Sequence, residues 1–413
     1  MQVTVCGGGN AAHALVGLLA AQGSHLVNVY LSFEAEAQGW REGVAAQGGI
    51  EVLQRDTTSL GCPNLISSEP SKAIPGSQVV LLALPAFAHE TVLAEIRPYL
   101  EEGAWLGAIP ARGCFDLCAW DALGEKSFSL TIFGLQSLPW ACRIIEYGRS
   151  VKILGTKRRL DLAAWPADRS APLAGRLGEL LGIQLDPAGG FLGLTLAGTG
   201  QIIHPGIMHG RFHDWDGRPL AEAPLFYQGV DSSTAANMAE MSAEVQKLRA
   251  ALQERFPSLD LSAVRPLAEW LQRSYPEDIL DFSSLQAMFN SNQSYAGLRF
   301  PVRPAASELQ EAGVQPDFKS RYLSEDVPYG LIPTRGIAEL AGIQTPIIDQ
   351  VILWAQARLG QEYLLEGKLR GRHLKATRAP QRYGFHSLEK LTDRMDYLAG
   401  PHSHITASFN KTA

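Results

Sequence analysis

The sequence predicts an α/β fold in which an N-terminal domain built on a parallel sheet precedes a mostly α-helical domain. A glycine cluster separates a strand pattern from a helix pattern at the start of the chain, and short buried strands recur as far as residue 135. Longer helical patterns dominate beyond about residue 196; the clearest cover Thr234 to Arg255, Leu261 to Tyr275 and Asp349 to Leu359. Because 413 residues exceed the usual size of one core, we divide the chain into 1–195 and 196–413.

The first strand pattern runs through Val5 into a cluster that fits G-x-G-x-x-A. Gly7 allows the tight turn, Gly9 lets a diphosphate approach the backbone, and Ala12 lets the following helix pack close to the strand. The strand–turn–helix–strand context favours a Rossmann-type dinucleotide-binding domain over a tight turn with no nucleotide. The residues assigned to this turn are Gly7, Gly9, Asn10, Ala11 and Ala12.

The type of dinucleotide depends on the end of the second strand. Domains that prefer NAD usually carry an acidic residue there, whereas this chain has the neutral Ser32 and Phe33. Acidic residues follow at Glu34 and Glu36, and no Lys or Arg precedes Arg41. A 2′-phosphate would require a cation at this point, so we expect NAD (NADH) as the cofactor.

Three more buried strands are predicted, at residues 78–84, 105–109 and 129–135. The loops that follow parallel strands face the ligand crevice, so Pro85, Arg112 and Gln136 are expected near the cofactor and substrate. His89 is either a ligand contact or, as we prefer, a residue at the start of a helix near the cofactor.

Composition excludes several classes of function. With a net charge of −6 and a pI near 6.0, neither nucleic acid nor an anionic membrane is expected as a partner. The five cysteines show no spacing suited to zinc, so we expect no metal and free thiols in a reducing compartment. No charged segment precedes the apolar stretch near the N-terminus, and no run is long enough to span a bilayer. We expect a cytoplasmic protein.

Two segments of the second domain carry titratable groups. His204 is flanked by apolar residues and followed by Pro205, and it is equally well explained as a satisfied core histidine. The charged stretch from Arg321 to Gly330 is predicted to end in a turn. In it, Arg321 and Asp326 are equally well explained as a surface ion pair.

Nine segments together resemble the opine dehydrogenases, most closely the octopine and tauropine dehydrogenases of marine invertebrates. They are G-G-G-N-A-A-H (7–13), L-P-A-F-A-H-E (84–90), L-P-W-A-C-R (138–143), L-G-T-K (154–157), H-P (204–205), A-P-L-F-Y-Q-G (223–229), R-Y-L-S-E-D (321–326), W-A-Q (354–356) and T-R-A-P-Q-R-Y-G-F (377–385). The segments follow one another over nearly the whole chain. Only the polar tail after about Leu391 falls outside the resemblance.

The resemblance implies an opine dehydrogenase domain behind the nucleotide domain, and a monomer that acts on small molecules. The implied reaction joins pyruvate to an amino acid with NADH, giving an N-(1-carboxyethyl) amino acid and regenerating NAD for anaerobic glycolysis. By similarity, His204 is the catalytic histidine, Asp326 its partner, and Arg321 the cation that binds a substrate carboxylate. Cys142 matches a pocket cysteine of the family, although a buried structural thiol explains it equally well.

Two positions depart from an arginine-using member of the family. Arg112 stands where a neutral amide is expected, and Gln136 stands where an acidic residue is expected. Both changes disfavour a guanidinium-bearing co-substrate, so taurine is favoured, with small neutral amino acids open. Alternatively, Arg112 contacts cofactor phosphates or solvent.

Three alternatives remain for the function: an octopine dehydrogenase that uses arginine, a non-catalytic NAD-binding protein, and another two-domain reductase. Reductases of the last kind depend on a catalytic lysine at the start of the second domain. That region offers His204 and no nearby lysine, which disfavours them.

Overall fold

The computed structural model describes residues 1–305 and 313–396, and the polar tail named above lies largely outside them. The strands of the first half are β1 (Gln2–Cys6), β2 (Leu26–Tyr30), β3 (Ile50–Leu53), β4 (Thr58–Gly61), β5 (Leu65–Ser67), β6 (Val79–Leu82), β7 (Trp105–Ala108), β8 (Thr131–Leu135), β9 (Trp140–Glu146), β10 (Ser150–Thr156), β11 (Arg159–Trp165) and β12 (Gln184–Pro187). Its helices are α1 (Asn10–Ala21), α2 (Glu34–Gln47), α3 (Pro70–Ala73), α4 (His89–Ile96), α5 (Phe115–Leu123) and α6 (Ser170–Leu181).

Eight strands form one sheet in the order β12-β11-β8-β7-β6-β1-β2-β5. The six strands from β8 to β5 are parallel, and β11 pairs antiparallel with β8. Their nearly continuous apolar sequences are buried under helices on both faces. The strand order reverses at the β1–β6 pair, which is where ligands bind in open parallel sheets. The predicted α/β fold with a Rossmann-type first domain is confirmed.

The predicted strands are one to three residues longer than the observed β6, β7 and β8. Residues 83, 84 and 109 already belong to the loops at the carboxyl edge, whereas residues 78, 129 and 130 precede their strands. The prediction that His89 starts a helix is confirmed by α4.

A second sheet, in the order β4-β3-β10-β9, covers α1 and was not predicted. Glycines permit this close packing. A Cβ on Gly17 of α1 would collide with Val52 of β3, and a Cβ on Gly61 of β4 would collide with the carbonyl of Gly17. The sheet therefore fixes α1, whose first turn belongs to the glycine cluster.

The second half is mostly helical, as predicted. Its helices are α7 (Phe191–Leu196), α8 (Gly200–Phe212), α9 (Ser232–Arg255), α10 (Leu267–Ser274), α11 (Leu285–Ser291), α12 (Arg321–Ser324), α13 (Ile332–Ala341), α14 (Pro346–Leu359) and α15 (Leu388–Asp396). Short strand pairs join β13 (Val302–Pro304) to β14 (Val314–Pro316) and β15 (Leu364–Leu365) to β16 (Lys368–Leu369). Within the described residues, no helix combines the length and apolar character that a membrane span requires.

Two predictions in this half were wrong in detail. The helix predicted from Leu261 begins only at Leu267, because Pro266 disfavours helical backbone in the residue before it. The stretch predicted to end in a turn at Gly330 instead continues from α12 into a π-helical segment, Val327–Leu331, and then α13. The boundary between 195 and 196 falls at the end of α7, whereas the large sheet ends at Pro187; the division stays a prediction.

Candidate active site

The glycine turn has the shape that a dinucleotide diphosphate needs. Gly7 has φ of 128°, and a Cβ there would lie 2.5 Å from the carbonyl oxygen of Ala83. Gly9 caps α1 at its N-terminus, and no atom lies within 4 Å of the position of its absent Cβ. A phosphate can therefore approach the first amides of α1, where the helix dipole favours negative charge. The residues present fit the diphosphate of NAD.

Two polar side chains of α1 fix this turn by bonding to backbone groups of the second sheet and its β9–β10 loop. Asn10 accepts a hydrogen bond from the backbone amide of Ile144 (2.8 Å) through its side-chain oxygen. His13 bonds the carbonyl of Gly9 through Nδ1 (3.0 Å) and accepts from the amide of Gly148 through Nε2 (2.8 Å). Burial lowers the pKa of His13 to about 4, so the ring is neutral and Nδ1 is the donor. The side chain of Asn10 thus serves the turn's architecture, and its backbone amide stays at the start of α1.

The other predicted cofactor residues lie at the same edge of the sheet. Ser32 and Phe33 follow β2, and Pro85 follows β6, so they lie on either side of β1. Ala11 and Ala12 occupy the first turn of α1, with Ala12 fully buried.

His204 lies in the second turn of α8 and is held from both ring nitrogens. Nδ1 lies 2.8 Å from Oδ2 of the buried Asp326, and Nε2 lies 2.9 Å from the hydroxyl of Tyr227. Tyr322 stacks on the imidazole with ring centroids 4.4 Å apart and planes inclined by 19°. Because a carboxylate only accepts, Nδ1 donates to Asp326, and Nε2 is the nitrogen that exchanges a proton. The predicted pairing of His204 with Asp326 is present in the structure.

Two buried carboxylates and two arginines surround this pair. Arg112 bonds Glu325 Oε1 through Nε (3.2 Å) and also pairs with Asp326 Oδ1. Arg321 bonds Glu325 Oε2 through Nε (2.5 Å). Burial raises the pKa of Glu325, but Arg112 and Arg321 outweigh it and hold that pKa near 2. The four charges cancel, so protonation of His204 gives this cluster a net charge of +1.

Backbone geometry lets the cluster assemble. Arg112 adopts φ of 62°, a left-handed conformation that is uncommon outside glycine. A Cβ on Gly200, the first residue of α8, would lie 2.8 Å from Arg112 Nη1 and 3.2 Å from Asp326 Oδ1. The π-helical segment directly after Asp326 is of a kind often found at functional sites.

Of the placements expected for Arg112, the structure disfavours the one in which its side chain points to solvent. Its side chain is 17% exposed and paired with two carboxylates, and none of its contacts within the described residues assigns it to cofactor phosphates. Whether it reads the co-substrate stays a prediction.

Gln136 is buried and bonded at both ends of its amide. It donates to the carbonyl of Ala197 (2.6 Å) and accepts from the indole of Trp270 (3.1 Å). With Arg112 it lines a small cavity beside the start of α8. Cys142 is buried on β9, where burial raises the pKa of its thiol to about 11 and leaves it an unreactive, neutral group.

Sequence reasoning missed four residues that the structure brings to the site. Tyr227, Tyr322 and Glu325 stand inside the segments A-P-L-F-Y-Q-G and R-Y-L-S-E-D, so membership in those segments was the available signal. Arg378 is buried and donates to the carbonyls of Ala111 (3.0 Å) and Ala86 (2.9 Å), which holds the loops after β7 and β6.

Comparison with known proteins identifies relatives of the whole chain. The family model described as "NAD/NADP octopine/nopaline dehydrogenase, alpha-helical domain" matches residues 187–359. Octopine dehydrogenase of Pecten maximus is 39% identical and aligns over 95% of this chain and 98% of its own. Tauropine dehydrogenase of Arabella iricolor is 36% identical over 94% and 99%.

A solved structure of octopine dehydrogenase with NADH and L-arginine superimposes with a TM-score of 0.83 at 37% identity, covering 98% of this chain and 99% of that one. Another, with NADH and pyruvate, gives 0.81 at 35% identity, covering 98% and 100%.

Proposed function

This chain belongs to the opine dehydrogenase family of NAD-dependent oxidoreductases, and we propose that it joins pyruvate to an amino acid with NADH, giving an N-(1-carboxyethyl) amino acid, NAD and water. The observation that carries this proposal is the His204–Asp326 pair, held by Arg112 from the carboxyl edge of the nucleotide sheet. In this proposal, the histidine that transfers protons and the glycine turn that binds the nucleotide face the same cleft between the two domains.

The charged cluster suits a carboxylate substrate. Its two arginines and two carboxylates cancel, so protonated His204 leaves one positive charge for pyruvate to neutralise. Arg321 uses Nε for Glu325, and its side chain is 55% exposed. Among the described residues no hydrogen bond to its two terminal nitrogens is found, so both can bind a carboxylate. We assign substrate binding to Arg321 on this basis.

His204 handles the protons of the condensation. Asp326 holds the Nδ1 proton and stabilises the imidazolium, so Nε2 protonates the ketone oxygen and assists its departure as water. Burial raises the pKa of Tyr227, which keeps its hydroxyl protonated and able to hold Nε2 in line. NADH, when bound, supplies the hydride that reduces the resulting imine.

For the amino donor we favour taurine or a small neutral amino acid over arginine. The Gln136 amide is neutral, and both its nitrogen and its oxygen are bonded to protein groups. It therefore provides no negative charge to pair with the guanidinium of an arginine substrate. Arg112 places a cation in the same cavity lining, although Glu325 and Asp326 neutralise much of its charge. We expect the reaction in the cytoplasm, since all five cysteines are free thiols. We expect a monomer because the family resemblance implies one.

The decisive experiment measures NADH oxidation with pyruvate and, separately, taurine, alanine, glycine, β-alanine and arginine. Turnover must require both pyruvate and an amine, and taurine or a neutral amino acid should exceed arginine in kcat/KM. Reduction of pyruvate alone, or no turnover with any amine, would contradict opine formation. A larger kcat/KM for arginine would overturn only the donor assignment and establish the octopine alternative.

Arg112→Gln refines the donor assignment. If Arg112 reads the co-substrate, the loss of kcat/KM is larger for taurine than for alanine. Equal losses would limit Arg112 to holding Glu325 and Asp326.

A further inference from the structure

The end of β2 lacks the acidic residue that usually binds the adenosine ribose, but an acidic residue from α4 lies next to it. Glu95, in the last turn of α4, accepts hydrogen bonds from the hydroxyl of Tyr30 (2.7 Å) and from the hydroxyl of Ser32 (2.9 Å). Tyr30 is the last residue of β2, and Ser32 lies just beyond it. The carboxylate therefore reaches the strand end where dinucleotide-binding domains hold the adenosine ribose.

The hydrogen bonds of Glu95 leave part of the carboxylate for a ligand. Both donors bind Oε2, and among the described residues no hydrogen bond to Oε1 is found. Burial, followed by the bond to Glu95, raises the pKa of Tyr30, so its hydroxyl remains a donor. A carboxylate fixed in this way presents a free oxygen to a pair of hydroxyl groups.

The surrounding charges oppose a phosphate at the same point. Arg41 is the nearest following cation in the sequence, and it pairs with Glu34, which also accepts a bond from Ser68. Glu36 adds another negative charge in the first turn of α2. A 2′-phosphate would meet carboxylates here, with the local arginine already paired.

Two exposed rings border the same edge of the sheet. Phe33 follows β2 and is 68% exposed, and Phe87 follows β6 and is 57% exposed. These two loops lie on opposite sides of the β1 position, where the adenine of a dinucleotide would be enclosed. Phenyl faces stack on a purine regardless of what the ribose carries.

We propose that Glu95 binds the 2′- and 3′-hydroxyls of the adenosine ribose and thereby selects NAD over NADP, while Phe33 and Phe87 enclose the adenine. The assignment rests on the nucleotide site at the glycine turn. It adds a specificity residue that lies more than sixty positions from the strand end it serves.

Equilibrium binding tests Glu95 independently of turnover. NADH and NADPH are titrated into the unmodified protein and into Glu95→Gln, following nicotinamide fluorescence. The glutamine retains an acceptor for Tyr30 but loses the charge. We expect NADH affinity to fall and NADPH affinity to rise, so that the ratio of dissociation constants changes by about tenfold or more.

Glu102→Gln is the matched control, because it removes the same charge from an exposed position just before β7, at the opposite edge of the sheet. It should leave the ratio within about twofold, since surface charges act weakly through water. An unchanged ratio in Glu95→Gln, or equal losses for both nucleotides, would limit Glu95 to a structural role. A chain that binds neither nucleotide would overturn the nucleotide site itself, which is a distinguishable result.

The rings make a different prediction. Phe87→Ala should weaken NADH and NADPH by the same factor, about fivefold or more, because both share the adenine. Phe128→Ala, which removes another exposed ring that packs against Trp165, should weaken neither. A change of the NADH-to-NADPH ratio in Phe87→Ala would contradict the assignment of the ring to the base.

Discussion

The glycine turn and the His204 cluster are built in opposite ways. The turn uses consecutive residues from Gly7 to His13, whose backbone follows from their own conformational preferences. The cluster collects Arg112, His204, Tyr227 and the Arg321–Asp326 segment from four separate parts of the chain. The first region is formed by one continuous segment of the first domain, whereas the second region exists only when the two domains meet. Mutations should therefore separate cofactor binding from turnover.

The largest effect is expected from His204→Ala. The substitution removes Nε2, the proposed proton donor to the departing oxygen, so kcat should fall by about 10²- to 10⁴-fold. NADH affinity, measured by fluorescence, should stay within about twofold. His213→Ala, an exposed histidine just past the same helix, serves as the control. If His204→Ala lowered NADH affinity and turnover by the same factor, cofactor binding and catalysis would not be separable in this way.

A pair of glycine substitutions tests the comparison directly. Gly7→Ala combines a positive φ with a collision against the Ala83 carbonyl, so NADH affinity should fall by about tenfold or more. Gly200→Ala pushes Arg112 away from Asp326 and should lower kcat by about ten- to hundredfold with NADH affinity preserved.

Gly175→Ala in α6, with open space around its absent Cβ, should change neither quantity. If Gly7→Ala kept its affinity for NADH, the assigned phosphate turn would be wrong.

Arg112→Gln should change the acid stability of the protein. The folded pKa of Glu325 lies near 2, below its ordinary 4.5, so its contribution to stability is full above pH 4.5 and is lost as pH falls towards 2. Removing Arg112 raises that pKa, so acid unfolding should begin about one pH unit higher. Circular dichroism between pH 2 and 7 measures the midpoint. Arg41→Gln, which breaks a surface pair, should not move it.

The smallest effect is expected from Tyr227→Phe. It removes the hydroxyl that holds His204 Nε2 and keeps the ring, so kcat should fall about three- to tenfold. KM for pyruvate should change less than kcat, because the proposed carboxylate-binding residue, Arg321, is unchanged. Tyr99→Phe on the nucleotide side is the control, and a change in KM alone would assign Tyr227 to substrate binding.

The same contrast explains what the sequence could predict. Gly7, Gly9 and the buried strands carry local signals, so the nucleotide domain was predicted with its turn and five strands of its large sheet. The pairing of His204 with Asp326 was predicted only through the family segments, because residues 122 positions apart leave no local trace of their contact. The second sheet was missed since its short strands β3 and β4 gain their stability from packing on α1.

Arg112 shows the limit most clearly. Its sequence neighbours suggested a cation free to meet a ligand, yet Glu325 and Asp326, more than two hundred residues away, take up its charge. The left-handed backbone that aims it at them has no signature in a non-glycine residue. Similarly, nothing local marks the π-helical segment after Asp326, which the sequence suggested was a turn.

The position of Arg378 in the chain implies an order in which parts of the molecule can form. It stands near the end of the described chain, but its guanidinium holds the Ala86 and Ala111 carbonyls and the ring of His89 in the first domain. While the protein is being synthesised, the sheet can form long before Arg378 leaves the ribosome. The loops after β6 and β7 lack these donors until then. These two loops, which border the expected ligand crevice, are therefore completed last, by a residue made about 370 positions after the glycine turn.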